Sequence, residues 1–129
     1  MITGLDHVQV CAPRGCEDAA RAFFTDFLGL PELRKPDALI ANGGAWFALP
    51  DGRQVHVGLE DPFTPARKAH ACLRADDLDE VARRAAGHGV TVEFDSRLAL
   101  RRLYLLDPWG NRWEIVEGAH DAVPLTGDA

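Results

Sequence analysis

Four side chains that can bind a divalent metal recur at matched places in the two halves of the sequence. His7 and His70 each lie in a strand-like run, whereas His56 and Glu114 each follow a turn glycine by four residues. Imidazole nitrogens and carboxylate oxygens are ligands that zinc, iron, nickel, cobalt and manganese use in proteins. The spacing therefore indicates a tandem duplication that carries two possible metal ligands in each half.

The strands and helices predicted around these residues repeat in the same order. Alternating polar and β-branched residues, helically spaced aromatic residues and turn residues between short apolar runs predict a strand, a helix and three strands in each half. In the first half these elements cover residues 5–11, 17–28, 39–41, 45–49 and 54–59. In the second half they cover residues 70–75, 77–87, 90–94, 100–106 and 112–117.

This order predicts an α+β fold of two tandem βαβββ modules, which form mixed sheets curled around a cleft. A chain of 129 residues is about one domain in length. We expect module one at about residues 4–60, a linker at 61–68, module two at 69–118 and a loose tail at 119–129. Successive side chains of a strand point to opposite faces, so each candidate ligand opposes its bulky apolar neighbours. The helices would cover the apolar faces and leave the ligand faces around the cleft.

The composition excludes several classes of partner. The net charge is −6, and phosphate binding needs a basic face, so we expect no nucleic-acid partner and no membrane partner. No apolar run approaches the roughly 20 residues that span a bilayer. The N-terminal residues lack the basic and apolar regions of a signal peptide. Cys11, Cys16 and Cys72 have no zinc-finger spacing, which favours reduced thiols in the cytoplasm.

One motif near the end of the second half is the most specific in the chain: Asp107-Pro108-x-Gly110-Asn111-x-x-Glu114. Further anchors are the strand-borne His7, the run Phe23-Phe24-x-x-x-Leu28-Gly29-Leu30, the strand Gln54-Val55-His56 and the pair Ala69-His70. Together with the duplication, these residues resemble the vicinal oxygen chelate superfamily over about residues 4–118. That superfamily includes glyoxalase I, bleomycin-resistance proteins, fosfomycin-resistance transferases, methylmalonyl-CoA epimerases and extradiol dioxygenases.

The resemblance implies one metal ligand on the first strand and one on the last strand of each module. These positions hold His7, His56, His70 and Glu114. Glyoxalase I members and the epimerases usually carry Glu or Gln where this chain has His56. Histidine can bind a divalent ion, but it cannot serve as the mobile carboxylate base of a glyoxalase mechanism. The resemblance therefore disfavours glyoxalase I proper.

The extradiol dioxygenases offer a second interpretation. Their signature is similar to Leu103-Tyr104-x-x-Asp107-Pro108-x-Gly110-x-x-x-Glu114, and their iron triad would correspond to His7, His70 and the motif's Glu114. His56 would then be a proton-handling neighbour of the iron site. Those enzymes also carry a histidine shortly before the aliphatic-tyrosine pair, and residues 95–97 of this chain contain none.

We therefore expect a metal-dependent enzyme whose divalent ion (Fe, Ni, Zn, Co or Mn) chelates vicinal oxygens of a small-molecule substrate. The ion would stabilise an enediolate-like or oxyanion intermediate in isomerase or lyase chemistry, and extradiol-type dioxygenase activity is the alternative. His56 and Tyr104 are the candidate catalytic residues. Trp46 and Arg102 are the candidate substrate-binding residues, and Arg102 could hold a substrate carboxylate by two hydrogen bonds.

A metal-free protein similar to the bleomycin-resistance proteins is the alternative from another class. It would bind a planar or hydrophobic compound between aromatic residues of two chains and would need none of the four ligands. The resemblance also implies a homodimer, and the sequence leaves open whether a site lies within one chain or takes two ligands from each. Of the remaining histidines, His88 is predicted at a helix C terminus and His120 in the exposed tail.

Overall fold

Two four-stranded sheets with the same strand order form the framework of the structure, a computed structural model that describes residues 1–120 and 123–127. The first sheet has the order β1-β4-β3-β2, with strands His7–Ala12 (β1), Glu32–Leu33 (β2), Ala45–Ala48 (β3) and Gln54–Leu59 (β4). The second has the order β5-β8-β7-β6, with strands His70–Ala75 (β5), Val92–Asp95 (β6), Arg102–Leu106 (β7) and Arg112–Glu117 (β8). In each sheet the first and last strands of the module are parallel neighbours, and the other neighbours are antiparallel.

A helix follows the first strand of each module and carries the chain across the sheet, as a parallel strand pair requires. In module one, an α-helical turn over Glu17–Ala20 continues as a π-helical segment over Arg21–Phe27, and together they form helix α1. In module two, helix α2 spans Leu78–Gly87, and Asp77 caps its N terminus by accepting a backbone hydrogen bond at 3.1 Å. His88 lies at its C terminus, as predicted. Within the described residues, no helix has the length and apolarity needed to cross a membrane.

The tandem βαβββ fold predicted from the sequence is confirmed, but one strand of module one was placed wrongly. Residues 39–41 lie in a 3-10 helix over Asp37–Asn42, and the second strand of the module is instead Glu32–Leu33, which pairs with β3. The apolar run does not form a strand because nothing buries it: Leu39 and Ile40 are 37% and 50% exposed. A short apolar run does not by itself identify a strand. Of the predicted loose tail, residues 121, 122, 128 and 129 lie outside the described residues.

Helix α1 joins the two sheets into one core. Phe24 is fully buried. The centroid of its ring lies 5.0 Å from the ring centroid of Phe47 on β3 and 5.5 Å from that of Trp113 on β8. The two helices also contact each other, because Arg84 of α2 donates a hydrogen bond to the backbone carbonyl of Phe27 at 2.8 Å. The apolar faces of both sheets pack under the helices, so the candidate ligands lie on the opposite faces, as strand alternation predicts.

Asn111 links the modules through hydrogen bonds to three segments of the chain. Its side-chain oxygen accepts from the Ala66 backbone N–H at 2.9 Å. Its side-chain nitrogen donates to the Cys11 carbonyl at 2.8 Å and to the Asp107 carboxylate at 2.9 Å. Asn111 is only 2% exposed, so water cannot replace these partners. This turn residue therefore fixes how β1 lies against the second module.

Substitution Asn111→Ala should lower the free energy of unfolding by about 2–4 kcal/mol, because it removes the side-chain hydrogen bonds to Cys11, Ala66 and Asp107 from a buried position. Urea denaturation followed by circular dichroism measures the loss. Asn42→Ala is the matched control, since Asn42 is exposed and should cost less than about 0.5 kcal/mol. Equal losses in the two variants would contradict the role given to Asn111.

Candidate metal centre

His70 and Glu114 face each other across the adjacent strands β5 and β8. Nε2 of His70 lies 3.1 Å from Oε1 of Glu114, and Glu114 is only 5% exposed. The other ring nitrogen, Nδ1, lies 2.8 Å from the backbone carbonyl oxygen of Lys68, which can only accept a hydrogen bond. Nδ1 therefore carries a proton, and in the neutral imidazole the Nε2 lone pair points at a carboxylate oxygen. Two acceptors this close require either a cation between them or a proton on one of them, on Nε2 or on the carboxyl group, that makes the contact a hydrogen bond.

The separation of these two atoms suits a divalent ion. Ligand nitrogen and oxygen atoms lie about 2.0–2.2 Å from such an ion, so ligands in neighbouring positions lie about 3.0–3.4 Å apart. The 3.1 Å between His70 Nε2 and Glu114 Oε1 falls in this range. Donation from the opposite ring nitrogen to a carbonyl or carboxylate is also how proteins orient metal-binding histidines. The donor chemistry of this pair thus fits a divalent metal.

His7 is oriented in the same way in the first module. Its Nδ1 lies 2.8 Å from Oδ2 of Asp6, so Nδ1–H donates to the carboxylate and Nε2 remains free to bind an ion. In both modules, the acceptor for the first-strand histidine comes just before it in the chain. Asp6 and the Lys68 carbonyl were not predicted as parts of the site, although the acidic neighbour of His7 was visible in the sequence.

Three aromatic rings stack on the ligand face of the first sheet. Trp46 and His56 are paired residues of β3 and β4, and their ring centroids lie 3.8 Å apart with an interplanar angle of 2°. The ring of His7 covers the other face of His56, with centroids 4.1 Å apart and planes 20° from parallel. Nε2 of His56 also lies 2.8 Å from Oε1 of Gln54. Burial and the nearby cationic groups of His7 and Lys35 hold the pKa of His56 below its ordinary value of 6.5.

The stacking decides which histidines can share an ion. An imidazole binds a metal in the plane of its ring, and two nearly parallel planes about 4 Å apart do not meet within ligand distance of both rings. His7 and His56 cannot both bind one ion in this conformation, so one ring would have to rotate. The arrangement favours His56 as a neighbour of the ligands over His56 as a fourth ligand.

Glu114 is also held from its other side. Arg102 Nη1 donates to Oε2 of Glu114 at 3.4 Å and to the hydroxyl oxygen of Tyr104 at 2.9 Å. Nε2 of His120 lies 3.6 Å from the same Oε2. Burial raises the pKa of Glu114, but the hydrogen bond from His70, made when Nε2 carries a proton, and those from Arg102 outweigh it, so the net pKa lies below its ordinary value. Glu114 therefore stays ionised, which is the form that binds a metal.

His120 lies beside the candidate ligand Glu114, a contact that the sequence did not predict. The sequence placed it in an exposed tail, and 44% of its side chain is indeed exposed. The chain turns at Gly118, where φ is 87°, a left-handed conformation that favours glycine, and His120 then lies near Glu114. That glycine was the one sign in the sequence that the chain turns as β8 ends.

The predicted site residues fall into two groups, one on each sheet. The first comprises His7, His56 and Trp46, and the second His70, Glu114, Tyr104 and Arg102. A cavity of about 490 Å³ between β1 and β5 is lined by His7 and His70, one from each group. Within residues 1–120 and 123–127, no three His, Cys, Asp or Glu side chains come together in a geometry that could hold a metal ion. The roles given to these residues remain predictions.

Comparison with known proteins assigns the fold to a family. The family model of the Glyoxalase/Bleomycin resistance protein/Dioxygenase superfamily matches residues 4–115. Among curated proteins, none matches the sequence. The crystal structure of a glyoxalase family protein from Bacillus anthracis is 40% identical, covers 90% of this chain and 95% of its own, and superposes with a TM-score of 0.85.

Two more distant crystal structures share the fold. The fosfomycin resistance protein FosX from Listeria monocytogenes is 18% identical over 93% of this chain and 94% of its own, with a TM-score of 0.75. That structure holds a variant of FosX in complex with manganese(II) and 1S,2S-dihydroxypropylphosphonic acid. Lactoylglutathione lyase from Agrobacterium tumefaciens is 24% identical over 91% of this chain and 95% of its own, with a TM-score of 0.68. At these identities the likeness supports the fold alone.

In metal-free protein, the His56 imidazole should titrate below its ordinary pKa of 6.5, because burial and the charge on His7 disfavour protonation. His7→Gln removes that charge and also removes one of the two rings that stack on His56, so the pKa of His56 should rise. The pKa of His56 in the folded wild-type protein is lower than its pKa in the unfolded chain. The contribution of the neutral ring to stability is therefore fully present above the unfolded-state pKa and is lost as pH falls through the folded-state pKa. NMR titration of the histidine ring signals measures this, with His56→Gln to assign the signal. A pKa that His7→Gln leaves unchanged would show that the stack does not influence His56.

Proposed function

The chain belongs to the Glyoxalase/Bleomycin resistance protein/Dioxygenase superfamily, and from this premise we propose that it is a metal-dependent enzyme acting on a small molecule. The main support for the proposal is the approach of His70 Nε2 and Glu114 Oε1, which lie 3.1 Å apart. A divalent ion would satisfy both atoms at once, and their separation is that of neighbouring ligands.

We assign His7, His70 and Glu114 as the metal ligands. Two imidazoles and one carboxylate leave positions open for two adjacent oxygens of a substrate. When bound, a divalent ion would polarise these oxygens and stabilise the negative charge that develops on them. Nitrogen and oxygen ligands suit Fe, Ni, Zn, Co and Mn alike. The manganese complex of the distantly related FosX makes manganese the first ion to test.

The remaining predicted residues have distinct roles around these ligands. The oxygen of Tyr104 accepts a hydrogen bond from Arg102 at 2.9 Å, so its own O–H can donate to a substrate oxygen. His56 is kept neutral by its surroundings, and when Nε2–H donates to Gln54, Nδ1 is the atom that can accept a proton. Trp46 covers one face of His56 and provides an apolar wall for the substrate.

These groups suit isomerase or lyase chemistry, in which a proton moves beside a stabilised oxyanion. Extradiol-type dioxygenase activity is the second candidate, because the proposed triad is also that of an iron(II) oxygenase. The flat aromatic stack of Trp46, His56 and His7 supports a third, a metal-free binding protein similar to the bleomycin-resistance proteins. Binding of a small molecule that persists in excess chelator would favour this third function.

We further propose that two chains share each site in a homodimer. His7 lies on β1, whereas His70 and Glu114 lie on β5 and β8, and no strand pairing joins the two sheets within the described part of the chain. Among the described residues, β1 and β5 each pair with one strand, which leaves one edge of each without a strand partner. In a twofold dimer, module one of one chain would face module two of the other and form two equivalent sites.

The cytoplasm is the compartment that we propose for this protein. Cys11, Cys16 and Cys72 are free thiols in the structure, and the cytoplasm keeps thiols reduced. The net charge of −6 disfavours binding to phosphate backbones, so the proposed partners are the substrate and a second copy of the chain.

His70→Ala and Glu114→Ala should each abolish tight binding of a divalent ion while the fold is retained, because each removes one of three ligands. Elemental analysis and calorimetric titration of the apo protein with Mn²⁺ measure binding. Glu93→Ala is the control, since Glu93 lies on the same face of the second sheet but is exposed. Undiminished metal content in both ligand variants would refute the proposed site.

Mixing two defective variants should restore binding if the site is shared. His7→Ala and Glu114→Ala homodimers should each lose the metal, but in a heterodimer both substitutions fall in one site and leave the other intact. After co-refolding and isolation with two different tags, the heterodimer should bind about one ion per dimer. A heterodimer that binds none would place each site within a single chain.

A further inference from the structure

Arg102 lies beside the proposed metal ligand Glu114 but is directed at the protein rather than at the cleft. It occupies β7, and its neighbour on the same face, Tyr104, is the cross-strand partner of Glu114. Arg102 is only 8% exposed. A charged side chain this deeply buried needs compensating charges in the protein.

Acceptors on both ends of the guanidinium provide that compensation. Nη1 donates to Glu114 Oε2 at 3.4 Å and to the Tyr104 oxygen at 2.9 Å, while Nη2 lies 3.3 Å from Oδ2 of Asp95. Asp95 is held in turn by Arg97, whose Nε donates to the same Oδ2 at 2.9 Å. Hydrogen bonds from Arg97 lower the pKa of Asp95 far below its ordinary value, so its charge persists at any physiological pH.

The third nitrogen of the Arg102 guanidinium, Nε, is buried and has no hydrogen-bond partner within the described residues. An orphaned N–H costs stability, and the contacts of Nη1 and Nη2 with their acceptors offset that cost. Because Nε is out of contact with solvent, a substrate carboxylate cannot reach Nε and a terminal nitrogen together. The terminal nitrogens Nη1 and Nη2 already contact Glu114, Tyr104 and Asp95, so the bidentate substrate contact predicted from the sequence would have to replace these partners.

We infer that Arg102 is a positioning residue that restrains Glu114 as a one-oxygen ligand. This inference rests on the proposed function. Arg102 holds Oε2, and Oε1 is the oxygen that faces His70. The restraint continues outwards through Asp95 to Arg97 at the surface.

The restraint matters because it preserves open positions for the substrate. An ion with about six positions, bound by two histidines and one carboxylate oxygen, keeps three positions free. If Glu114 bound through both oxygens, only two positions would remain, and two vicinal oxygens of a substrate would fill them and leave none for a further ligand. Arg102 thus keeps one further position of the ion open beside a substrate that chelates through two oxygens, without touching that substrate.

The test compares Arg102→Met, which removes every donor, with Arg102→Lys, which keeps the charge but cannot bridge three acceptors. Arg101→Met is the matched control, because Arg101 is the exposed neighbour that pairs with Asp79 and Glu117. Calorimetry with Mn²⁺ measures affinity, and crystal structures of apo and Mn²⁺-soaked protein report which oxygens of Glu114 face the ion. Thermal melting identifies any variant that does not fold.

Arg102→Met should weaken Mn²⁺ binding about 10–100-fold, as loss of a ligand-orienting partner typically does. Arg102→Lys should recover part of this affinity, and Arg101→Met should match the wild type. In the variant crystals, Glu114 should move or bind through both oxygens. Unchanged Mn²⁺ affinity and an unchanged Glu114 position in Arg102→Met and Arg102→Lys would overturn the inference.

The same experiment separates this inference from the proposed function. Wild-type protein that binds no Mn²⁺ or any other divalent ion would refute the metal site itself. The apo crystal structures would still test Arg102, because a Glu114 carboxylate that leaves its position in Arg102→Met supports the restraint. One that stays in place in the apo variant contradicts it.

Discussion

The arrangement of the site follows from the need to balance the buried negative charge of Glu114 within the protein. Glu114 is 5% exposed, and a charge so far from water must be balanced within the protein. Arg102 balances one oxygen, and His70 faces the other with a lone pair unless a cation or a proton intervenes. The strand order brings these two partners to Glu114, because β5, which carries His70, and β7, which carries Arg102, lie on either side of β8. The proposed metal is the group that completes this balance.

The two modules use one backbone plan for different chemistry. Each places a histidine on its first strand and fixes Nδ1 with an acceptor that comes just before it, Asp6 or the Lys68 carbonyl. The last strands then diverge. His56 is stacked between two rings, which removes it from the ion that His7 would bind, whereas Glu114 lies in a chain of alternating charges. Divergence at these two positions would make the duplicated halves complementary parts of one site.

Much of this arrangement follows from local patterns in the sequence. Strand alternation was sufficient to place His56 and Glu114 opposite the apolar core, and turn motifs marked where most strands begin. The second strand of module one was missed because Glu32–Leu33 is two residues long and is defined by its pairing with β3. The contacts of Arg102, the links made by Asn111 and the approach of His120 depend on which segments meet in space. No local sequence pattern predicts these contacts between distant segments. The module boundaries also remain predictions.

The most direct test of the central claim is a crystal structure of the protein grown with Mn²⁺, with anomalous scattering used to locate the ion. The account predicts one anomalous peak per chain, about 2.0–2.2 Å from His70 Nε2 and Glu114 Oε1, with His7 of a second chain as the third ligand. His56 should remain stacked on Trp46 and off the ion. A map without a peak between His70 and Glu114, in protein saturated with Mn²⁺, would contradict the account.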